Sequence, residues 1–269
     1  MARNSAMETA FHYSQLQSHV MQRFNTNTET ISLPRNHDLP TMCEGHADSQ
    51  CSSHDVRDVV PSILRVNHQW AHVTKTKTPC YFPQSDKQSP KLLWIGCSDS
   101  RILEGDITVA RPGDVFVHRN IANQFFTQDT NTLAVVGYAI AALGVRNVAI
   151  VGHKKCGGVI FAYGESQDGF PERIFPTEEE GAECFASSDT PAPVRTWLKP
   201  LANHLQQFWP KLTLEQATKE NVLLQVNNLF GMKQTILQWS SNQPVLVHGL
   251  LYDFTTGILE TLTTVDIKP

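Results

Sequence analysis

Hydrophobic and polar positions fall into regular periods only after about residue 55. Residues 1–55 are rich in Ser, Thr, Asn, Gln and His, and no period is sustained, so this extension is expected to be disordered or loosely held. From Pro61 the pattern turns helical. Ile63, Leu64, Val66, Trp70 and Val73 supply apolar positions, Pro61 suits a first turn, and Thr78-Pro79 breaks the run. Three short apolar runs then read as buried strands: Leu92–Gly96 leading to Cys97, Val115–Val117 after the Pro112-Gly113-Asp114 turn, and Val148–Val151 leading to Gly152-His153. Between the second and third, Asp129–Thr132 offers caps to an apolar helix over Leu133–Leu143, which Gly144 ends. Apolar strands alternating with helices predict an α/β fold with a mostly parallel central β-sheet flanked by helices. Residues 164–193 hold Gly, Pro, Ser and the run Glu178-Glu179-Glu180, and predict a long surface loop with a solvated acidic face. Thr213-x-x-Gln216 predicts a capping box opening a helix toward Leu229. Val245–Val247, Gly249–Asp253 and Ile258–Leu262 read as closing strands around a Thr256-Gly257 turn.

The chain has 269 residues, 41% of them hydrophobic and 18% charged, which suits one substantial core; residues 56–269 are expected to form a single catalytic domain. A net charge of -4 leaves no basic footprint, so no nucleic-acid partner is expected. The longest apolar run, Leu133–Val145, is too short to cross a bilayer, so no membrane association is expected. The first residues lack a basic start followed by an apolar run. A cytoplasmic location is expected; a mitochondrial one is the alternative, because Arg3 and Arg23 lie in a polar, Ser/Thr-containing stretch. Six cysteines without a secretory signal point to metal binding or catalysis rather than a disulfide framework. Cys43-x-x-His46 and Cys51-x-x-His54 have the look of a zinc knuckle, but are expected to be incidental residues of the tail.

The chemistry concentrates in two motifs, each at the carboxyl end of an expected strand, the edge where open α/β sheets bind ligands. They are Cys97-Ser98-Asp99-Ser100-Arg101 and Gly152-His153-Lys154-Lys155-Cys156-Gly157-Gly158. His153 and Cys156 lie within one turn, and Cys97 on a neighbouring strand end offers a third ligand. Two thiolates and one imidazole form a catalytic zinc set with a fourth position left for water, and sulfur donors favour zinc over magnesium or calcium. The glycines after Cys156 are expected to let the backbone turn tightly into a helix whose N-terminus favours a thiolate. Asp99 and Arg101, two residues apart, would face the same way in an extended segment, placing a carboxylate oriented by a guanidinium beside the metal. Such a carboxylate matters because zinc with two thiolates is formally neutral and acidifies water less than a three-histidine site. Lys154-Lys155 reads as surface charge, and His118 as a structural histidine rather than a proton shuttle.

The two motifs resemble those of the beta-class carbonic anhydrases. Asn67-x-x-Trp70-Ala71, Gln88-Ser89-Pro90, Pro112-Gly113-Asp114, Arg119-Asn120-Ile121-Ala122-Asn123, Tyr138-Ala139 and His248-Gly249 extend the likeness over roughly residues 60–265. The resemblance implies one Zn2+ per subunit on Cys97, His153 and Cys156, with the Asp99–Arg101 dyad at the fourth position. It implies reversible hydration of CO2 to bicarbonate and a proton by zinc-bound hydroxide. It also implies a narrow apolar pocket lined by Phe116 and Tyr138, with Gln88 entering from a partner subunit and the backbone near Gly157 touching substrate. An N-terminal helical arm that wraps a partner, in a homodimer or homotetramer, belongs to the same expectation. So does an off state in which Asp99 leaves Arg101 for the metal. Two other readings stay open: hydrolysis of carbonyl sulfide or carbon disulfide on the same scaffold, and a catalytically silent zinc-binding interaction protein. The dyad argues against silence, because a structural zinc has no use for it.

Overall fold

The computed structural model describes residues 59–83, 85, 87–167, 190–208 and 210–269. The chain divides into two units, Met1–Lys77 and Thr78–Pro269. In the first, the described part is helix α1 (Val59–Lys77), none of whose residues is buried. Val60 and Leu64 are 62% and 55% exposed. The expected extension and its Cys43, His46, Cys51 and His54 lie outside the described residues.

The second unit is built on a five-stranded sheet. Its strands are β1 (Leu92–Cys97), β2 (Val115–Asn120), β3 (Asn147–His153), β4 (Val245–Asp253) and β5 (Ile258–Ile267), in the order β2-β1-β3-β4-β5. The first four are parallel, and β5 returns antiparallel to β4. The central strands β1 and β3 are buried almost throughout, as their unbroken apolar runs require. Successive side chains serve opposite faces. Leu93, Ile95, Val148 and Ile150 pack with Phe125, Ile140, Val222 and Val226, while Trp94, Ala149 and Val151 pack with Ile102. The register sets Cys97 beside Asn120, Gly96 beside Val151, and His153 beside Tyr252. The carboxyl ends of all four parallel strands therefore share one edge.

Among the described residues, the unit also holds helices α2 (Glu104–Thr108), α3 (Thr130–Gly137), α4 (Gly157–Glu165), α5 (Ala192–Gln206), α6 (Leu214–Phe230) and α7 (Lys233–Trp239). Asp129 caps α3 by accepting from the Asn131 and Thr132 amides. The predicted run to Leu143 does not stay α-helical: Tyr138–Ala142 widens into a π turn before Gly144, at φ 71°, ends it. Thr213 and Gln216 form the predicted capping box of α6. That helix seats closely on the sheet, because a Cβ on Gly152 would lie 2.5 Å from Val222 Cγ2.

Three features differ from the sequence reading. The closing strands are two rather than three. β4 runs unbroken through His248, since it pairs on both sides and a bulge at Gly249/Leu250 absorbs the irregularity. His248 is accommodated there beside Thr264 Oγ1 (3.1 Å) and Asn147 Oδ1 (3.4 Å). Helix α5 was hidden by Pro191, Pro193 and Pro200, yet Leu198, Leu201, Ala202 and Leu205 form a buried stripe at helical spacing. Of the expected 164–193 loop, residues 168–189, with the acidic run, lie outside the described residues, and its flanks extend α4 and begin α5. No helix among the described residues is long and apolar enough to cross a membrane.

Candidate metal centre

Cys97 ends β1 and His153 ends β3, so the parallel pairing of these strands brings the two side by side. Cys156 reaches them through a tight turn in which Lys155 adopts φ 54°, and it stands at the N-cap of α4. The expectation that Gly157 and Gly158 make this turn is corrected: neither has positive φ. Gly158 is needed for room instead, since a Cβ there would lie 2.9 Å from Ala122 Cβ.

The ligand atoms of Cys97, His153 and Cys156 all lie within 4.8 Å of one another, and all three residues are buried. The two sulfurs are 3.8 Å apart and the cysteines are unbridged. Two thiolates about 2.3 Å from a tetrahedral zinc stand roughly 3.8 Å apart, so the observed gap suits that ion. His153 Nδ1 donates to the Lys154 carbonyl at 2.9 Å, which leaves Nε2 as the lone-pair nitrogen. Nε2 is buried and has no hydrogen-bond partner. An orphaned imidazole nitrogen facing two buried sulfurs is the donor set of a soft divalent metal.

The electrostatics agree. A hydrogen bond from the Cys156 thiol holds the Cys97 thiol well below its ordinary range, against the cost of burial and with help from His153. The same bond, burial and the Cys97 charge push Cys156 up, and the Val159 and Gly158 amides at the start of α4 only partly offset them. The two thiols are thus pushed in opposite directions by one shared hydrogen bond. A dication held by these residues would supply the field that removes the second proton.

Asp99 and Arg101 form a two-pronged ion pair: Nε donates to Oδ1 at 3.0 Å and Nη2 to Oδ2 at 2.6 Å. The extended segment expected from their spacing is instead a turn. Ile102 N donates to Asp99 O, and Arg101 N to Asp99 Oδ1, so a carboxylate-capped turn brings the two side chains together. The Arg101 hydrogen bonds hold the Asp99 carboxyl at about 2, outweighing its burial. Asp99 Oδ2 lies 3.8 Å from His153 Nε2. Arg101 in turn rests 4.2 Å over the Phe254 ring.

Arg119 fixes the backbone of this segment, donating from Nε to Cys97 O (2.9 Å) and from Nη2 to Asp99 O (2.6 Å), with Glu104 3.6 Å from its Nη1. The sequence reading noted Arg119 only as part of a motif and missed Phe254. Its one available signal was that Phe254 directly follows a strand ending at the same sheet edge.

The residues expected to line the pocket stand as follows. Phe116 and Tyr138 pair with each other, ring centroids 5.9 Å apart. Phe116 sits opposite Leu93, four residues before the partner of Cys97, about 13 Å along the strand. Within one chain the pair thus stands apart from the ligands. Tyr138 is 52% exposed, Gln88 is exposed, and Gly157 is the first residue of α4. Lys154 pairs with Asp253 at 2.8 Å and Lys155 is exposed. Both line a cavity of about 240 Å³ with Leu214, Glu215, Thr218 and Leu251. His118 is buried, its Nε2 near Asn120 Nδ2 (3.2 Å) and Thr132 Oγ1 (3.1 Å).

Residues 92–259 match the family model described as carbonic anhydrase. Among curated relatives, a Candida albicans carbonic anhydrase is 34% identical over 64% of this chain and 56% of its own. A Saccharomyces cerevisiae carbonic anhydrase is 29% identical over 75% of this chain and 88% of its own. An Emericella nidulans carbonic anhydrase is 42% identical over a shorter stretch, 36% of this chain and 43% of its own. The match to the Emericella and Candida proteins thus spans about half the length of each. Among solved structures, one of two beta-carbonic anhydrases from Sordaria macrospora, described as tetrameric, superposes with a TM-score of 0.60 at 32% identity, over 77% of this chain and 99% of its own. The Aspergillus fumigatus beta-carbonic anhydrase CafA gives 0.59 at 32% identity, over 76% and 90%.

Proposed function

Because the chain belongs to the beta-class carbonic anhydrases, we propose that it catalyses the reversible hydration of CO2 to bicarbonate and a proton at a zinc ion held by Cys97, His153 and Cys156. The observation that carries this reading is the three-donor cluster, with its orphaned His153 Nε2 and the ion-paired Asp99 carboxylate beside it. When bound, zinc supplies a Lewis acid that makes water a nucleophile near neutral pH.

The protein's residues do the rest. Cys97 and Cys156 give negative charge to the site, and the Lys154 carbonyl keeps His153 in the tautomer that presents Nε2. Asp99, held ionised by Arg101, accepts a hydrogen bond from the reacting water and turns its lone pair toward the carbon of CO2. The Gly157 amide, as the first residue of α4, is a helix N-terminal donor without an intrahelical acceptor, suited to a bicarbonate oxygen. Phe116 and Tyr138, apart from the ligands of their own chain, line the apolar pocket of a neighbouring copy, and Gln88 enters the same way. The assembly is a homo-oligomer. The uncovered apolar residues of α1 and the tetrameric description of the Sordaria relatives support it. The location proposed is cytoplasmic.

Carbonyl sulfide and carbon disulfide, linear like CO2, are the substrates to compare. Zinc-loaded protein is expected to exchange 18O between CO2 and water and to release no sulfide from either compound. Sulfide release without 18O exchange would overturn the assignment, and a protein that binds zinc and does neither would be a silent zinc binder.

A further inference from the structure

The metal ligands rest on a turn whose backbone is held from a distance. Ala122 (φ 61°) and Asn123 (φ 48°) both adopt the left-handed conformation that side chains other than glycine disfavour. The Asn123 Nδ2 amide is also buried without a partner. A turn carrying both costs persists only if its surroundings over-determine it.

Those surroundings are a ladder of carboxamides on α6. Asn221 Nδ2 donates to Ala122 O (3.1 Å) and Asn123 Oδ1 (3.2 Å). Asn221 Oδ1 accepts from Gln124 Nε2 (2.7 Å) and Gln225 Nε2 (3.1 Å). Gln225 Oε1 accepts from Phe125 N (2.9 Å), and Asn228 closes the outer end on Phe125 O (3.1 Å). Asn123, Gln124, Asn221 and Gln225 are all fully buried.

The turn touches the metal centre on both sides. Ala122 packs in one buried cluster with Cys97 and Cys156. Ser98 N donates to Asn120 O just before the turn, and Gly158 of α4 has no room for a Cβ because Ala122 fills that space. The turn thus lies between the end of β1, which carries Cys97, and the start of α4, which carries Cys156.

We propose that Asn221 and Gln225 are positioning residues for the metal centre: Asn221 pins the Ala122–Asn123 turn from α6, Gln225 pins the Gln124–Phe125 segment that follows it, and together they set the separation of the two cysteine sulfurs. The proposal rests on the reading of Cys97, His153 and Cys156 as metal ligands. It assigns to a helix that supplies no ligand the spacing of a ligand pair on two other elements.

The test compares zinc affinity, by chelator competition, and the cobalt(II) visible spectrum in the wild type, Asn221→Ala, Gln225→Ala and Asn228→Ala. Far-UV circular dichroism checks that each is folded. Asn221→Ala and Gln225→Ala are expected to weaken zinc binding about tenfold or more and to shift the cobalt bands. Asn228→Ala, at the outer end, is expected to lower stability without changing either. Wild-type affinity and spectrum in both inner variants would overturn the proposal, as would an equal shift in Asn228→Ala. Should the inner variants not fold, hydrogen exchange of the unmodified protein decides. Zinc loading is expected to slow amide exchange at residues 122–125, and unchanged exchange would overturn the proposal. A wild type that takes up no metal would bring down the ligand reading itself, and this proposal with it.

Discussion

At the residue scale, the site separates binding from turnover. Cys97 and His153 offer donor atoms, whereas both carboxylate oxygens of Asp99 are paired to Arg101. Cys97→Ser or His153→Ala is therefore expected to lose zinc, as read by metal analysis after gel filtration. Asp99→Asn should keep zinc at full stoichiometry, while kcat for CO2 hydration falls roughly a hundredfold or more. Normal turnover in that variant would make the pair with Arg101 structural. His118 provides a pH test away from the metal. Burial lowers its pKa, only partly opposed by Asp129, so between the folded and unfolded values the unfolded chain holds more protons. The stability this contributes is present above the unfolded value of about 6.5 and is lost as pH falls from there through the lower folded value. The melting temperature of His118→Gln should fall less than that of wild type between neutral pH and about pH 5; parallel declines would show that another group titrates. The Cys97 and His153 motifs were legible because each follows an apolar run that can only be a strand. Arg119, Phe254 and Lys155 were less so, because their roles depend on carbonyl, ring and φ geometry that no spacing records.

At the element scale, the centre is a junction of β1, β3 and α4, with α6 across it. The capping box of α6 and the Asp129 cap of α3 were readable from local pattern, because a cap is made by residues two or three positions apart. Helix α5 was not, since three prolines mask a stripe that appears only once the helix is laid against α4. Nor was the carboxamide ladder. Asn221 and Gln225 look like a solvated helix face until they meet Gln124 and Phe125, about a hundred residues earlier. The close approach of α4 to the Ala122 turn gives a stability prediction. Gly158→Ala would place a methyl 2.9 Å from Ala122 Cβ and 3.0 Å from Ile121 Cγ2. A loss of about 1–3 kcal/mol in urea unfolding is expected, together with weaker zinc retention. An unchanged midpoint would show that the turn yields.

At the scale of the whole molecule, the parallel sheet puts Cys97, His153 and the Asp99–Arg101 pair at the carboxyl edge of one layer, and the α/β architecture was legible from its apolar strands. What the sequence could not convey is that Phe116 and Tyr138 lie apart from the ligands of their own chain, because that depends on register rather than composition. The proposed pocket, shared between copies, would make activity depend on assembly. On dilution, sedimentation should show dissociation and loss of turnover together; a fully active monomer would place the whole pocket in one chain. The most direct test of the account is stopped-flow CO2 hydration by the purified protein, measured zinc-loaded, after chelation, and after zinc is returned. Rapid hydration is expected, with collapse to the buffer rate on chelation and recovery with about one zinc per chain. Hydration at the buffer rate with zinc fully bound, or a rate indifferent to its removal, would contradict it.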